Sequence, residues 1–159
     1  MRVEPNFRWG GEEDHRALGQ VMYDAVRLGD SRYTEQQRAA WAPAPRDGEA
    51  WAARLRAQQV IVAESEGAII GFMSLAEGGY IDFAYIRPQA QGTGLFRQLF
   101  ARIVDRARAD AEPRLWVHAS LMAEPAFRAV GFSVREREIV AIGQQRLERA
   151  VMEMPISNS

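Results

Sequence analysis

The hydrophobic pattern of this chain predicts an α/β fold, a mixed sheet with helices on its faces. Three observations carry the prediction. "QVIVAES", "AIIGFMSLAE" and "GYIDFAYIRP" are consecutive strand-like runs between residues 59 and 88. A glycine turn, "QAQGTG", then opens a segment whose Leu95, Phe96, Leu99, Phe100, Ile103 and Val104 recur at helical spacing. Beyond it "RLWVHAS", a short helical stretch and two more strand-like runs close the sequence.

Taken in order, "RVEPNFRW" reads as a first strand, with Pro5 confining it to an edge. From Glu12 to Arg27, Leu18, Val21, Met22 and Ala25 share a helical face until "GDS" breaks the pattern. "YTEQQRAAWAP" is a short helix opened by Thr34 and closed before Pro43, and "GEAWAARLRAQ" adds another. The first two strand runs join at Gly67 as a hairpin, and Pro88 ends the third. "AEPAFRAVGF" is a short helix with Gly131 as its C-cap, followed by the closing strands "FSVREREIVAI" and "RAVMEMPI". No repeat or linker divides the 159 residues, so residues 1–159 are expected to form one domain.

Composition narrows the function. Apolar residues make up 47% and charged residues 26%, the balance of a soluble globular protein. A formal charge of −1 leaves no basic footprint for nucleic acid. All 20 basic residues are Arg, so a lysine Schiff base is excluded. The absence of Cys removes disulfides, thiolate metal sites and a cysteine nucleophile together, and no metal site is expected. No apolar run approaches a membrane span, and the cytoplasm is the expected compartment.

The glycine turn is the strongest local signal. Gly92 and Gly94 lack Cβ atoms, so backbone N–H groups can face a ligand that approaches closely. With the helix dipole they favour an anion at this helix N-terminus. A Walker loop needs a Lys that the chain does not have, and a dinucleotide fingerprint wants Gly or Ala where Arg97 stands. The spacing Gln89-x-x-Gly92-x-Gly94 directly after a strand instead resembles the pyrophosphate-binding signature of the GNAT superfamily of acyl-CoA N-acyltransferases. "LWVHASLMAEPAFRAVGF" is similar to the companion motif of that superfamily, with Ser120 ending a strand, then Ala126-Phe127, then Gly131-Phe132. The two motifs and their flanking strands cover roughly Gln59 to Ile156.

The resemblance implies a largely antiparallel sheet with splayed central strands, and acetyl-CoA as acyl donor. It assigns the cofactor to Ile86, Gln89, Gln91, Gly92, Thr93, Gly94, Leu95, Ser120 and Phe127, with the pyrophosphate at the amides from Gln91 to Leu95. Arg97 falls either at the phosphates or on a solvated helix face. The partner is a small-molecule or peptide amine, attacked directly in a ternary complex. A homodimer through the closing strands is compatible with the fold.

Transfer to an amine needs a base, because an amine of pKa about 10.4 is protonated at neutral pH. It also needs donors for the developing oxyanion and a proton for the leaving thiolate. Asp82 is the carboxylate of the strand "YIDFAYI", in which Ile81, Phe83 and Tyr85 alternate onto one face, and the resemblance gives it the base role. Its alternative is an ion-paired aspartate at a strand start. Glu77 and His118 are the second and third candidates, His118 competing with a structural role. Many family members place a Tyr where this chain has Phe127, so Tyr85, Ser120 or water is left to supply the acid. Tyr33, Trp41 and Trp51 are either acceptor wall or simple packing. Phe127 also favours the rival reading, a non-catalytic acyl-CoA-binding or sensing module.

Overall fold

The computed structural model describes residues 4–156; Arg2 and Val3 of the expected first strand lie outside them. The helices are α1 (His15–Arg27), α2 (Glu35–Trp41), α3 (Glu49–Arg56), α4 (Leu95–Ala109) and α5 (Glu124–Ala129). The strands are β1 (Asn6–Trp9), β2 (Gln59–Ser65), β3 (Ala68–Leu75), β4 (Tyr80–Ile81), β5 (Ala84–Ile86), β6 (Arg114–Ser120), β7 (Ser133–Ile142) and β8 (Gln145–Pro155). They form two four-stranded sheets, β1-β2-β3-β5 and β4-β6-β8-β7, antiparallel except where β4 runs parallel to β6. This is the largely antiparallel, splayed and helix-flanked sheet that the sequence implies. No helix among the described residues is long and apolar enough to cross a membrane.

Local signals explain the helices. Thr34 caps α2: its hydroxyl accepts from Gln37 N–H at 3.1 Å and the Gln37 side chain accepts from Thr34 N–H at 2.8 Å. On α1, Leu18, Val21, Met22 and Val26 are buried, whereas on α4 the buried stripe runs Leu95, Leu99, Phe100, Ile103, Val104 and Ala107. The two stripes serve different faces. α4 packs into a core with Ile61, Met73, Leu115 and Met152, and α1 with α3 packs into a second core with Val62, Phe72 and Phe83.

One expectation is corrected. "GYIDFAYI" is two strands rather than one, and they belong to different sheets. Tyr80 faces Ala76 while Phe83 bonds Ser74, so three residues of this segment span two of its partner. That extra residue is a β-bulge, and it reverses the alternation of side chains. Ile81 accordingly enters the α4 core with Ala84 and Ile86, while Phe83 and Tyr85 enter the α1 core. The sequence reading put Ile81 on the face of Phe83 and Tyr85 because strict period two cannot anticipate an inserted residue. Ser74 secures the bulge, its buried hydroxyl accepting from Phe83 N–H at 2.9 Å.

Candidate active site

The bulge opens the molecule. β4 pairs Tyr80 with Trp116 and Ile81 with Val117, and the chain then leaves β6, so the last part of β6 faces β5 across a gap. Phe83 C=O accepts from Ser74 N–H and Arg87 N–H donates to Ile70 C=O, both toward β3. By strand alternation the N–H and C=O groups of Ala84 and Ile86 turn the other way, into the gap. Gln91 already answers one of them, its amide donating to Ile86 C=O at 3.1 Å.

On one side of β5 lies a cleft of about 380 Å³. Its wall is the glycine turn and the start of α4, with Gln91, Gly92, Gly94, Leu95 and Arg97, and its floor is β5 with Ile86. Ser120, Ala123 and Ala126 form the opposite wall. Gly92 (φ 74°) and Gly94 (φ 85°) hold left-handed backbone, and a Cβ on either would meet nothing within 4 Å. These glycines are therefore required by conformation, and the space before them is open. No side chain caps α4 and its first turn has no acidic residue. The first-turn N–H groups, including those of Leu95 and Phe96, thus lack intrahelical acceptors and face an uncompensated positive dipole end.

Across β5 lies a second cavity of about 160 Å³. It is lined by side chains from both sheets and from α1, α2, α3 and α5, among them Trp41, Arg46, Arg54, Tyr80, Asp82, His118 and Arg149. Trp41, Ala84, Tyr85, Ser120 and Ala123 line both spaces, so the two meet there. Ser120 Oγ accepts from Ala123 N–H at 3.1 Å, which leaves its own proton available at the junction. Burial pushes the Tyr85 phenol far up, so it keeps its proton at the same place.

The charged groups of the second cavity are mostly paired. Asp82 receives two bonds from Arg54, at 2.9 and 2.7 Å, and one from Gln58 at 2.8 Å. Burial raises its pKa, but the Arg54 and Gln58 bonds outweigh that and hold it below the ordinary value. Tyr80 Oη lies 2.8 Å from His118 Nδ1. Burial, then Arg149, lowers the pKa of His118, which is therefore neutral at pH 7. Glu138 Oε1 stands 3.8 Å from Nε2 of that ring and is itself bonded by Arg149. Burial raises the Tyr80 phenol, making it the donor in its bond to His118.

The structure brings Ile86, Gln91, Gly92, Gly94, Leu95, Arg97 and Ser120 to the larger cleft. It does not bring Gln89, Thr93 or Phe127 there. Gln89 and Thr93 lie behind the turn, Thr93 Oγ1 donating to Ala90 C=O at 2.6 Å. Phe127 is buried, edge-on to Phe96 and Phe132 with ring centroids 5.1 and 4.9 Å away, and borders only the smaller cavity. Glu77 sits in a 3₁₀ turn beside another depression, away from both spaces. Tyr33 and Trp41 do wall the smaller cavity, whereas Trp51 is core, its indole N–H donating to His15 C=O at 2.6 Å. Sequence reasoning gave no role to Tyr80, Arg46, Arg54, Arg149 or Glu138. A tyrosine opening the strand that carries Asp82 was the one local signal among them.

Fold and site together define a group-transfer architecture: an anion-binding helix start, an unpaired strand edge, and a second cavity that meets the first along a shared lining. The chain belongs to the GNAT acetyltransferase family, whose model, described as an acetyltransferase (GNAT) domain, matches residues 30–147. It is 31% identical over 136 residues to the N-acetyltransferase YafP of Escherichia coli (strain K12), covering 85% of this chain and 81% of that one. Among solved structures it is similar to a GCN5-related N-acetyltransferase of Rhodopseudomonas palustris, with 28% identity, a TM-score of 0.89 and coverage of 98% and 99%. A phosphinothricin acetyltransferase of Sinorhizobium meliloti in complex with acetyl-CoA shares the fold at 20% identity and a TM-score of 0.74, over 99% of this chain and 91% of that one.

Proposed function

We propose that this protein transfers an acetyl group from acetyl-CoA to the primary amine of a small molecule or peptide, by direct attack in a ternary complex. The observation that carries this is the meeting of the two spaces at Ala84, Tyr85, Ser120 and Ala123. Acetyl-CoA supplies an activated thioester. The residues present fit it: open space before Gly92 and Gly94, free amides at the start of α4, and a narrow floor beside the unpaired edge of β5. The amides of Gly92 to Arg97 would hold the pyrophosphate, and Ala84 and Ile86 the amide arm. The Arg97 side chain, exposed and donating to Ala129 C=O at 3.3 Å, spans the mouth.

The proton inventory favours His118 over Asp82 as base. A carboxylate that already accepts three bonds has little proton affinity left, while His118 is neutral and coupled to Tyr80. The amine proton passes to Tyr80 Oη as the phenolic proton passes to His118 Nδ1, and Glu138 faces the imidazolium that results. Ala84 N–H serves the carbonyl oxygen, and the Ser120 hydroxyl serves the leaving sulfur.

Titration of the protein with acetyl-CoA and CoA, followed by thiol release against an amine panel, tests the reading. Binding with turnover on any amine supports it. Binding without turnover favours the second reading, an acyl-CoA-binding module, for which the observation is Phe127 at the usual tyrosine position. Absence of binding overturns both.

A further inference from the structure

We propose that the acceptor carries a carboxylate beside its amine, seated on Arg46, and a short apolar side chain: a small α-amino acid. The proposal deepens the acetyltransferase reading and rests on it for the identity of the amine cavity. Three guanidinium groups line that cavity. Arg54 is held by Asp82 and Arg149 by Glu138. Arg46 has no hydrogen-bond or ion-pair partner among the described residues, and its guanidinium carbon lies 5.8 Å from the Trp51 ring. With His118 neutral, the cavity therefore holds one uncompensated positive charge. An acceptor that is only a cation is repelled there, and one with an anionic group supplies the missing partner. Arg is suited to this, since its planar fork binds a carboxylate through two parallel bonds.

The backbone of Arg46 is placed with care. Gly19 lies buried in the interior of α1, where glycine costs about 1 kcal/mol of helix stability relative to alanine. A Cβ at Gly19 would come within 1.9 Å of Arg46 C=O and 2.8 Å of its carbonyl carbon. The chain accepts a weaker helix so that the segment between α2 and α3 can press onto α1 at the residue whose side chain enters the cavity. Arg46 also acts electrostatically on both Asp82 and Tyr85, which places its charge near the junction.

Size and lining give the rest. A cavity of about 160 Å³ is comparable to ones that hold a benzene-sized guest, too small for a sugar antibiotic or a folded peptide end. Phe83, Val140, Ile142 and Leu147 make its remaining wall apolar. The residual charge also favours the neutral form of a bound amine, which is the reactive one.

The test compares L-alanine, L-valine and L-leucine with their amides, first by calorimetry on CoA-loaded protein and then by thiol release with acetyl-CoA. Amino acid amides are the more easily deprotonated amines, so intrinsic reactivity opposes the expected preference. At least one acid should bind about 10- to 100-fold tighter than its amide, the range of a charge-assisted pair. Arg46→Gln should erase that ratio, and Arg46→Lys should restore part of it. Gly19→Ala should reduce it by displacing the loop, with CoA affinity retained as evidence of folding. Equal or tighter binding of the amides, or no binding of any acid, overturns the proposal. Turnover of the amides alone overturns it while leaving acetyl transfer intact. Acid binding that depends on Arg46 without thiol release keeps the carboxylate seat but overturns the acceptor assignment together with the transferase reading.

Discussion

The two spaces that meet at Ser120 are made of different material. The larger cleft is a backbone object: left-handed glycines, helix-start amides and the unpaired edge of β5, with alanines opposite. The smaller cavity is a side-chain object, with aromatic rings, three guanidinium groups, a tethered carboxylate and a neutral histidine. Backbone groups recognise what every donor molecule shares and tolerate substitution except where a Cβ alters φ. Side chains recognise what distinguishes one acceptor from another and change with each replacement. The comparison teaches which damage should fall on donor binding and which on the acceptor and the chemistry.

The largest effect belongs to the side-chain space. His118→Ala removes the proposed proton sink, and kcat should fall on the order of 10²- to 10⁴-fold while CoA affinity in calorimetry stays unchanged. If both fall together, the two spaces do not divide the work as described. A milder version needs no mutation. Because burial and Arg149 lower the His118 pKa, the base is active down to pH values below its ordinary 6.5, and activity declines as pH falls through the lowered value. An acid limb at or above 6.5 in the kcat profile would assign the proton to another group.

The backbone space should break the other way. Gly94→Val places a β-branched residue at φ 85°, a strain of about 1–3 kcal/mol that the chain relieves by rotating the amides away from the cleft. CoA affinity should drop about 100-fold, and the acceptor preference of the remaining activity should be unchanged. Retention of wild-type affinity would show that the turn is only a turn.

The same division explains what the sequence disclosed. The floor and the anion-binding wall of the larger cleft are local in the chain: a strand, a spacing of glycines and a helix stripe lie within residues 84 to 104, so their chemistry was legible from the pattern. Gln89 and Thr93 were carried along by that pattern but face away, because the 3₁₀ turn at Pro88–Ala90 and the Thr93 bond to Ala90 rotate them behind the loop. The smaller cavity gathers Met22, Arg46, Arg54, Tyr80, His118 and Arg149 from separate elements, and no spacing announces such an assembly. Gly19 was a visible oddity in a helix, but sequence alone does not say which backbone presses on it. Asp82 stood out for the right reason, a carboxylate in an apolar strand; its partner Arg54 arrives from α3, beyond the reach of a strand-by-strand reading.

Asp82→Asn is the smallest effect and the finest cut. In the transferase reading Asp82 positions Arg54 rather than taking the amine proton, so activity should fall less than about tenfold, well short of the loss of a general base. The stability cost should be about 1–2 kcal/mol, below that of a deeply buried pair because the Arg54 side chain is 46% exposed. The pH dependence follows from the lowered carboxyl pKa. The pair stabilises the fold above the unfolded value of about 3.9 and loses that contribution as pH falls through the folded one. Thermal melts of the wild type and the variant should therefore differ at pH 7 and converge in acid. A loss of 10²-fold or more in kcat, with melts that differ little, would return the base to Asp82 and leave His118 as a structural partner of Tyr80.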